Sequence, residues 1–491
     1  MMPPAGIQSG QSMSTKDKYD AIVIGAGPNG LAAAITIARA GRSVIVYEAK
    51  ETIGGGSRSM ELTLPGFVHD VCSAIHPLGL GSTFFRSLPL EQYGLEWIHP
   101  PAPLAHPLDN DTVAVLERSI DATAATLGSD ARAYKKLMEP LVAHWNAISE
   151  AFFGPLRLQP LLPHPFALAS FGLKALHSAR GFAESHFKEP QARALFAGMC
   201  GHWMLPLDRP ISAAAGLALG TMGHAIGWPL PRGGSQNIVN AMAAYLQTLG
   251  GEIVTGAEVK SLDMLPPARA VLCDITPRQL LRIAGARLPS GYQRKLQHYR
   301  YGPGVFKLDL ALDGPIPWRA PACERAGTVH IGGTLPEIAA AEAAVWRGEH
   351  PEKPFVVLGQ QSLFDPTRAP AGKHTAWTYC HVPSGSTLDM SERIEAQIEY
   401  FAPGFRDRIL ARHTLTAAQL EQYNANYVGG DINGGVQDIW QLFTRPTIQV
   451  NPYTTPLDNV YLCSSSTPPG GGVHGLCGYY AATTALKKSL S

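Results

Sequence analysis

Tyr19-Asp-Ala-Ile-Val-Ile-Gly25-Ala-Gly27-Pro28-Asn29-Gly30 is a short apolar run ending in G-x-G-x-x-G, and the helix-favouring Leu31-Ala-Ala-Ala-Ile-Thr-Ile-Ala38 follows at once. A second apolar run, Val44-Ile-Val-Tyr47, ends in Glu48, 18 positions after the last glycine. Strand, glycine turn, helix, strand and acid in that register form a β-α-β unit able to hold a dinucleotide. Gly25 permits the tight turn out of the strand. Gly27 lets backbone N–H groups approach a pyrophosphate, with Pro28 and Asn29 in the same loop. Gly30 lets helix and sheet pack closely, and the helix N-terminus brings the positive end of its dipole. Glu48 can accept hydrogen bonds from ribose hydroxyls, its charge would repel a 2′-phosphate, and Ala49 lies beside it.

A chain of 491 residues can bury a large core and is expected to form two domains that share one ligand. With 45% hydrophobic and 16% charged residues the composition is that of a globular protein. A net charge of +1 gives no reason to expect nucleic acid as a partner. The seven cysteines include no C-x-x-C, and the closest pair, Cys463 and Cys477, is 14 positions apart. That argues against a disulfide framework, a cysteine zinc site and a dithiol redox centre. Residues 1–17 are polar and Gly/Ser-rich, and read as a disordered tail rather than a secretory signal. The longest near-apolar stretch, Ile211-Ser-Ala-Ala-Ala-Gly-Leu-Ala-Leu-Gly-Thr-Met-Gly-His224, is Gly/Ala-rich and suits a packed internal helix better than a membrane span. A cytoplasmic location is therefore expected. Peripheral membrane contact stays open, because it needs only an apolar surface patch.

Three segments, 18–80, 228–290 and 455–491, read as one discontinuous nucleotide-binding domain of α/β, Rossmann type. The segments 81–227 and 291–454 read as a mixed α+β substrate domain. Within the latter, Tyr134, Leu137, Met138, Leu141, Val142, Trp145 and Ile148 recur at helical spacing, and Pro140 should kink that helix or split it in two. Val305-Phe-Lys-Leu-Asp-Leu-Ala-Leu312 and Thr375-Ala-Trp-Thr-Tyr-Cys-His-Val382 alternate as half-buried antiparallel strands do, with Trp377, Tyr379 and His381 on one face that could wall a substrate cavity.

A second glycine cluster, Thr467-Pro-Pro-Gly470-Gly471-Gly472-Val473-His474-Gly475-Leu-Cys-Gly478, lies near the C-terminus. It also spells G-x-G-x-x-G, but the chain stops at Ser491, too soon for a second strand and its acid. A helix N-terminus whose amides face an electron-rich ring system fits better, and the pyrimidine end of a flavin is such a target. On this reading Gly471, Gly472, Val473, His474 and Gly475 face the isoalloxazine while the N-terminal fingerprint holds the AMP half. No other fingerprint follows a strand, so a dedicated NAD(P)H domain is not expected. Electrons would leave for oxygen, a quinone or another acceptor.

The run Gly54-Gly55-Gly56-Ser57-Arg58 after Glu48 resembles the second glycine motif of flavin oxidoreductases of the phytoene desaturase and amine oxidase type. The ending 467–478, the loop Val428-Gly-Gly-Asp-Ile-Asn-Gly-Gly435, Arg445-Pro446 and Asn451-Pro-Tyr-Thr-Thr-Pro456 narrow the likeness. Together they resemble the phytoene desaturase-like group of pyridine nucleotide-disulfide oxidoreductase domain-containing protein 2. The resemblance implies noncovalent FAD, a bipartite fold and redox chemistry on a substrate that is often apolar. It places Gly55, Gly56, Ser57 and Arg58 at the cofactor, and Val259 against the adenine through its backbone. The chain departs from the commoner G-G-R with Ser57 before Arg58, and it has no dithiol motif for disulfide reduction.

Two histidines are candidate proton-transfer groups: His474, inside the flavin-facing loop, and His76, after the second glycine motif. Each can equally be a packed or capping histidine. Asp431 and Asn433 sit among glycines, where a turn favours them anyway. His69, Asp70 and His76 match no standard metal spacing, so no metal is expected. The leading expectation is an FAD-dependent oxidoreductase, a dehydrogenase or desaturase that removes a hydride from a small or apolar organic substrate. An amine oxidase-like enzyme and a redox-neutral isomerase are alternatives in the same class. A non-catalytic FAD-binding regulatory protein is the rival from another class.

Overall fold

The computed structural model describes residues 7–9, 18–154 and 164–491. Six strands make a parallel sheet in the spatial order Ile7–Ser9, Glu252–Thr255, Val44–Tyr47, Tyr19–Ile24, Ala268–Cys273, Val460–Leu462. In the five strands from Tyr19 onward the β-branched and aromatic residues are buried on both faces, as a parallel sheet between helical layers demands. One face packs Val23, Val46 and Leu272 against the helices Pro28–Arg39, Gln236–Thr248 and Leu476–Lys488. The other packs Ile22, Ile45 and Val271 against Leu280 and Leu296 of the helices Pro277–Ala284 and Ser290–Gln297.

The first strand corrects one expectation. Within the segment read as a disordered tail, Ile7–Ser9 pair in parallel with Ile253–Thr255 and close the sheet's edge. An unpaired edge row of backbone groups readily accepts three more residues whatever their side chains. The rest of that tail lies outside the described residues. Phe84, Phe85, Leu88, Leu90 and Leu95, assigned by sequence to the substrate domain, pack into the nucleotide-domain core.

The second sheet has seven strands in the order Ile409–Leu415, Gly304–Leu312, His374–Val382, Val356–Gly359, Ala326–Ile331, Ala102–Pro107, Val113–Leu116. All neighbours are antiparallel except Ala102–Pro107 and Ala326–Ile331. The strands Gly304–Leu312 and His374–Val382 pair in register, with Lys307 opposite Tyr379 and Asp309 opposite Trp377. Phe306, Leu308 and Leu310 on one face pack against Ile394 and Ile398 of the helix Ser391–Phe401. The opposite face, with Lys307, Trp377 and Tyr379, is also buried, so these strands are not half-exposed as their alternation suggested. Alternation reported a difference in chemistry between the faces. It did not report solvent, because the polar face looks into an internal cavity.

The expected long helix is two: Ala131–Ala143 contains Pro140 and ends at His144, and Trp145–Phe153 begins directly after. The stretch around residues 211–224 forms the buried helix Ala213–Ala225, where Gly216 leaves room for Cys200 and Phe196. Among the described residues no helix is long and apolar enough to cross a membrane. All seven cysteines are unbridged, and only Cys72 is less than fully buried.

Candidate active site

A single cavity of about 2130 Å³ runs between the two sheets. Its nucleotide end is shaped by backbone. Gly25 has φ +100°, and a Cβ on Gly30 would strike the Gly25 carbonyl. Gly54 N–H donates to the Ala26 carbonyl at 2.9 Å, and this docks the second glycine loop onto the first. Gly27 and Gly55 then face each other so closely that a Cβ on Gly55 would lie 3.3 Å from the Gly27 Cα. A Cβ on Gly56 would fall on the Tyr427 hydroxyl. Two facing loops stripped of side chains make a cradle of bare amides at the N-terminus of the helix Pro28–Arg39, the arrangement a pyrophosphate needs.

Glu48 is fixed before any ligand arrives. Its Oε2 accepts from Ala26 N–H at 2.8 Å, and its Oε1 from Lys50 N–H at 3.0 Å and Arg58 Nη2 at 3.2 Å. Arg58 also donates to Thr52 O from Nη2 at 2.6 Å and to Gly55 O from Nη1 at 3.3 Å. Arg58 is thus turned toward the loop and the acid, and positions both. Val259, Ala49, Pro28 and Asn29 line the same stretch of wall. Asn29 Oδ1 and Ser57 Oγ are buried and without partners among the described residues, so this wall offers polar atoms that a dinucleotide can satisfy.

Asp274, directly after the strand Ala268–Cys273, is a site residue that the sequence does not mark out. Its Oδ2 accepts from Gly30 N–H at 2.9 Å, and a Cβ on Gly27 would lie 3.0 Å from the same oxygen. It therefore caps the phosphate-facing helix from the neighbouring strand. Burial, with a smaller push from Glu48, raises its carboxyl to about 7.

Beside the first turns of the fingerprint helix, the loop 470–475 enters the helix Leu476–Lys488. Gly478 packs where a Cβ would collide with the Asn29 carbonyl, so the N-terminal and C-terminal motifs touch. His474 lines the cavity, but both ring nitrogens are engaged. Nε2 donates to Gly470 O at 3.2 Å, and Nδ1 accepts from Leu476 N–H at 3.1 Å. Burial drives its pKa down to about 4. Of the two roles expected for His474, these hydrogen bonds are those of a ring capping a helix. His76 also lines the cavity, is held by Ser235 Oγ at 2.8 Å, and is pushed down to about 4 by burial. Because Ser235 Oγ already donates to Ser73 O, His76 Nε2 must be the donor. Asp431 accepts from the N–H groups of Gly302, Asn433 and Gly435, a turn role rather than a ligand contact.

Beyond these loops the cavity widens into a chamber lined by Leu168, Phe171, Ala214, Leu219, Met222, Trp228, Trp377 and Tyr379. Its strongest polar group is Lys307, buried, ion-paired with Asp309 and 5.8 Å from the Trp377 ring centroid. Among the described lining residues the only carboxylates are Glu48, Glu258 and Asp274, all at the nucleotide end. Cys72 lies on the wall, and burial pushes its thiol up to about 11, so it is no thiolate at neutral pH.

Residues 23–86 match the family model described as an NAD(P)-binding Rossmann-like domain. Over nearly its full length the chain is similar to pyridine nucleotide-disulfide oxidoreductase domain-containing protein 2 of Mus musculus, at 27% identity over 98% of this chain and 95% of that protein. The phytoene desaturase (lycopene-forming) of a Paracoccus species is 24% identical over 96% of this chain and 97% of its own. The chain is a homologue of these oxidoreductases. One limonene dehydrogenase subunit, from Castellaniella defragrans, is a further relative, at 24% identity over 97% of this chain and 96% of its own. Among solved structures, an oxidoreductase from Methanosarcina mazei shares the fold with a TM-score of 0.65 at 16% identity, covering 96% of this chain and all of that one. Putrescine oxidase with putrescine bound has a TM-score of 0.60 at 19% identity over 96% and 99%.

Proposed function

We propose that the chain is an FAD-dependent oxidoreductase of the dehydrogenase or desaturase type acting on a small, apolar organic substrate. The observation that carries this is the continuity of one cavity from the facing glycine loops, past the loop 470–475, into an apolar chamber. Gly25, Gly27, Glu48, Ser57 and Val259 would hold the AMP half and pyrophosphate, with Gly471 and Gly472 at the ring end. FAD supplies acceptance of a hydride from a C–H bond and its onward passage to oxygen, a quinone or another acceptor. The protein's part is to orient the substrate against Trp377 and Tyr379 and to keep water out, which requires few acid–base groups.

The chamber favours an apolar substrate over an amine. A protonated amine would meet Lys307, which already holds Asp309, and no carboxylate among the described lining residues at that end. The related limonene dehydrogenase and phytoene desaturases are named for hydrocarbon substrates, in keeping with this choice. The cavity rim fits delivery from a lipid surface. Phe166, Leu173, Leu176, Trp440, Phe443, Ile448 and Val450 are all exposed, and Leu173, Leu176, Phe443 and Val450 also line the cavity. Neither 164–177 nor 439–453 contains an Asp or Glu, so these two segments bring no carboxylate toward an anionic bilayer.

Anaerobic mixing of the FAD-loaded protein with candidate hydrocarbons, then with acceptors, tests the reading. Bleaching of the flavin absorbance by an unsaturated or cyclic hydrocarbon and recovery with an acceptor is expected. A flavin that photoreduces but is bleached by no hydrocarbon and by an amine instead would transfer the chain to the amine oxidase-like class. One that nothing reduces would leave a non-catalytic FAD-binding protein.

A further inference from the structure

Two arginines are among the largest fully buried side chains, and their surroundings differ. Arg368 has a counter-ion, with Nη2 2.8 Å from Asp70 Oδ2. Arg445 has no carboxylate within ion-pair distance among the described residues. Its Nη2 donates weakly to Tyr299 Oη at 3.3 Å and to Gly435 O at 3.2 Å, while Nε and Nη1 have no acceptor. Asp431 is near enough to interact with it electrostatically, yet its oxygens are taken by three backbone N–H groups. A buried guanidinium with two unused donors and no neutralising partner is strongly disfavoured unless a bound group completes it.

Its position says which group. A Cβ on Gly470 would come within 2.5 Å of Arg445 Nη1, so the missing side chain brings the charge directly against the loop 470–475. Arg445, Asn433, Gly434, Gly471 and Gly472 line one part of the cavity wall. The loop's amides offer only partial charges to a ring. Arg445 adds a full positive charge behind them, in a dry environment where it is weakly screened.

We propose that Arg445 is a positioning residue: the counter-charge that stabilises negative charge on the pyrimidine edge of the reduced flavin. This rests on the FAD reading above and adds to it a determinant of the cofactor's redox poise.

Sulfite gives a readout independent of substrate. It donates its electron pair to the oxidised flavin, one N–S bond forms, and the negative charge is left on the pyrimidine edge. In FAD-loaded Arg445→Gln, sulfite is expected to bind at least about tenfold more weakly, and the midpoint potential to fall by about 30 mV or more for the two-electron couple. Arg445→Lys, which keeps the charge, should recover sulfite affinity to within about threefold of the wild type. Arg445→Gln that holds one FAD and keeps wild-type sulfite affinity and potential overturns the proposal. If the Gln variant does not fold, the photoreduced wild-type protein carries the test at mildly acidic pH. An anionic reduced-flavin spectrum supports the counter-charge, and a neutral one overturns it. A wild-type protein that takes up no FAD contradicts the cofactor reading instead, so the two failures are distinguishable.

Discussion

The two ends of the cavity are built by opposite means. At the nucleotide end the walls are backbone: Gly25, Gly27, Gly30, Gly54, Gly55 and Gly56 come within van der Waals reach of other groups, and the side chains that matter, Glu48 and Arg58, are held by amides and carbonyls. In the substrate chamber the walls are side chains from helices and strands scattered between residues 168 and 379. Backbone walls tolerate almost no substitution and recognise one kind of ligand. Side-chain walls can be repacked, and they carry the difference between one substrate and another.

The sharpest way to break this contrast is to add one carbon at the nucleotide end. Gly30→Ala places a Cβ on the Gly25 carbonyl, with no flexible atom to move aside. It is expected to abolish FAD retention, read as flavin absorbance per chain after gel filtration, and to lower the melting temperature. Retention of a full equivalent would show that the cradle is slack.

Asp274 yields the next largest effect, through pH. Its carboxyl is raised from 3.8 to about 7 in the fold, so the unfolded chain releases that proton first as pH rises. The stability it contributes is fully present below about pH 4 and is lost as pH climbs through about 7, with an upper bound on the order of 4 kcal/mol. Asp274→Asn should flatten that slope in urea unfolding of the cofactor-free protein and should tighten FAD binding at alkaline pH, where the native carboxylate opposes the pyrophosphate. Parallel pH profiles for the two proteins would contradict it.

Glu48→Gln removes the charge that Ala26, Lys50 and Arg58 share. Charge-assisted hydrogen bonds of this kind contribute about 1.5–3 kcal/mol, so FAD affinity should fall roughly ten- to a hundredfold in a fluorescence titration. An unchanged affinity would mean that the acid serves the loop alone.

His474→Gln tests the capping histidine. Losing the cap should reduce stability by about 1 kcal/mol, while turnover changes only a few-fold and its pH profile keeps its shape near neutrality. A loss beyond about a hundredfold with FAD still bound would return His474 to proton transfer. The smallest effect belongs to the rim: Trp440→Ser with Phe443→Ser should weaken retention on anionic vesicles without altering FAD content. Equal retention of both proteins would remove the lipid route.

What the sequence made legible divides along the same line. The strand Val44–Tyr47, the turn at Gly25 and the acid at Glu48 were readable because each obeys a local rule of spacing or backbone conformation. Pro140 likewise announced the division of its helix. Asp274, Lys307 and Arg445 were not readable as site residues. Asp274 meets Gly30, 244 positions away, only because the strands Tyr19–Ile24 and Ala268–Cys273 are neighbours, and Lys307 faces the chamber only because a strand that looks half-exposed is covered on both sides. The odd-numbered face of 305–309 was the available signal, since a lysine and an aspartate alternating with Phe306 and Leu308 mark a polar surface that a large protein can enclose. The role of His474 stayed open in the sequence because its partners, Gly470 O and Leu476 N–H, are backbone groups with no signature there.

The most direct test of the account is the cofactor carried by the purified full-length protein. One equivalent of FAD per chain, released intact by acid and restored by adding FAD back, is the predicted result. A protein that carries no flavin and takes none up, while remaining folded, would contradict it.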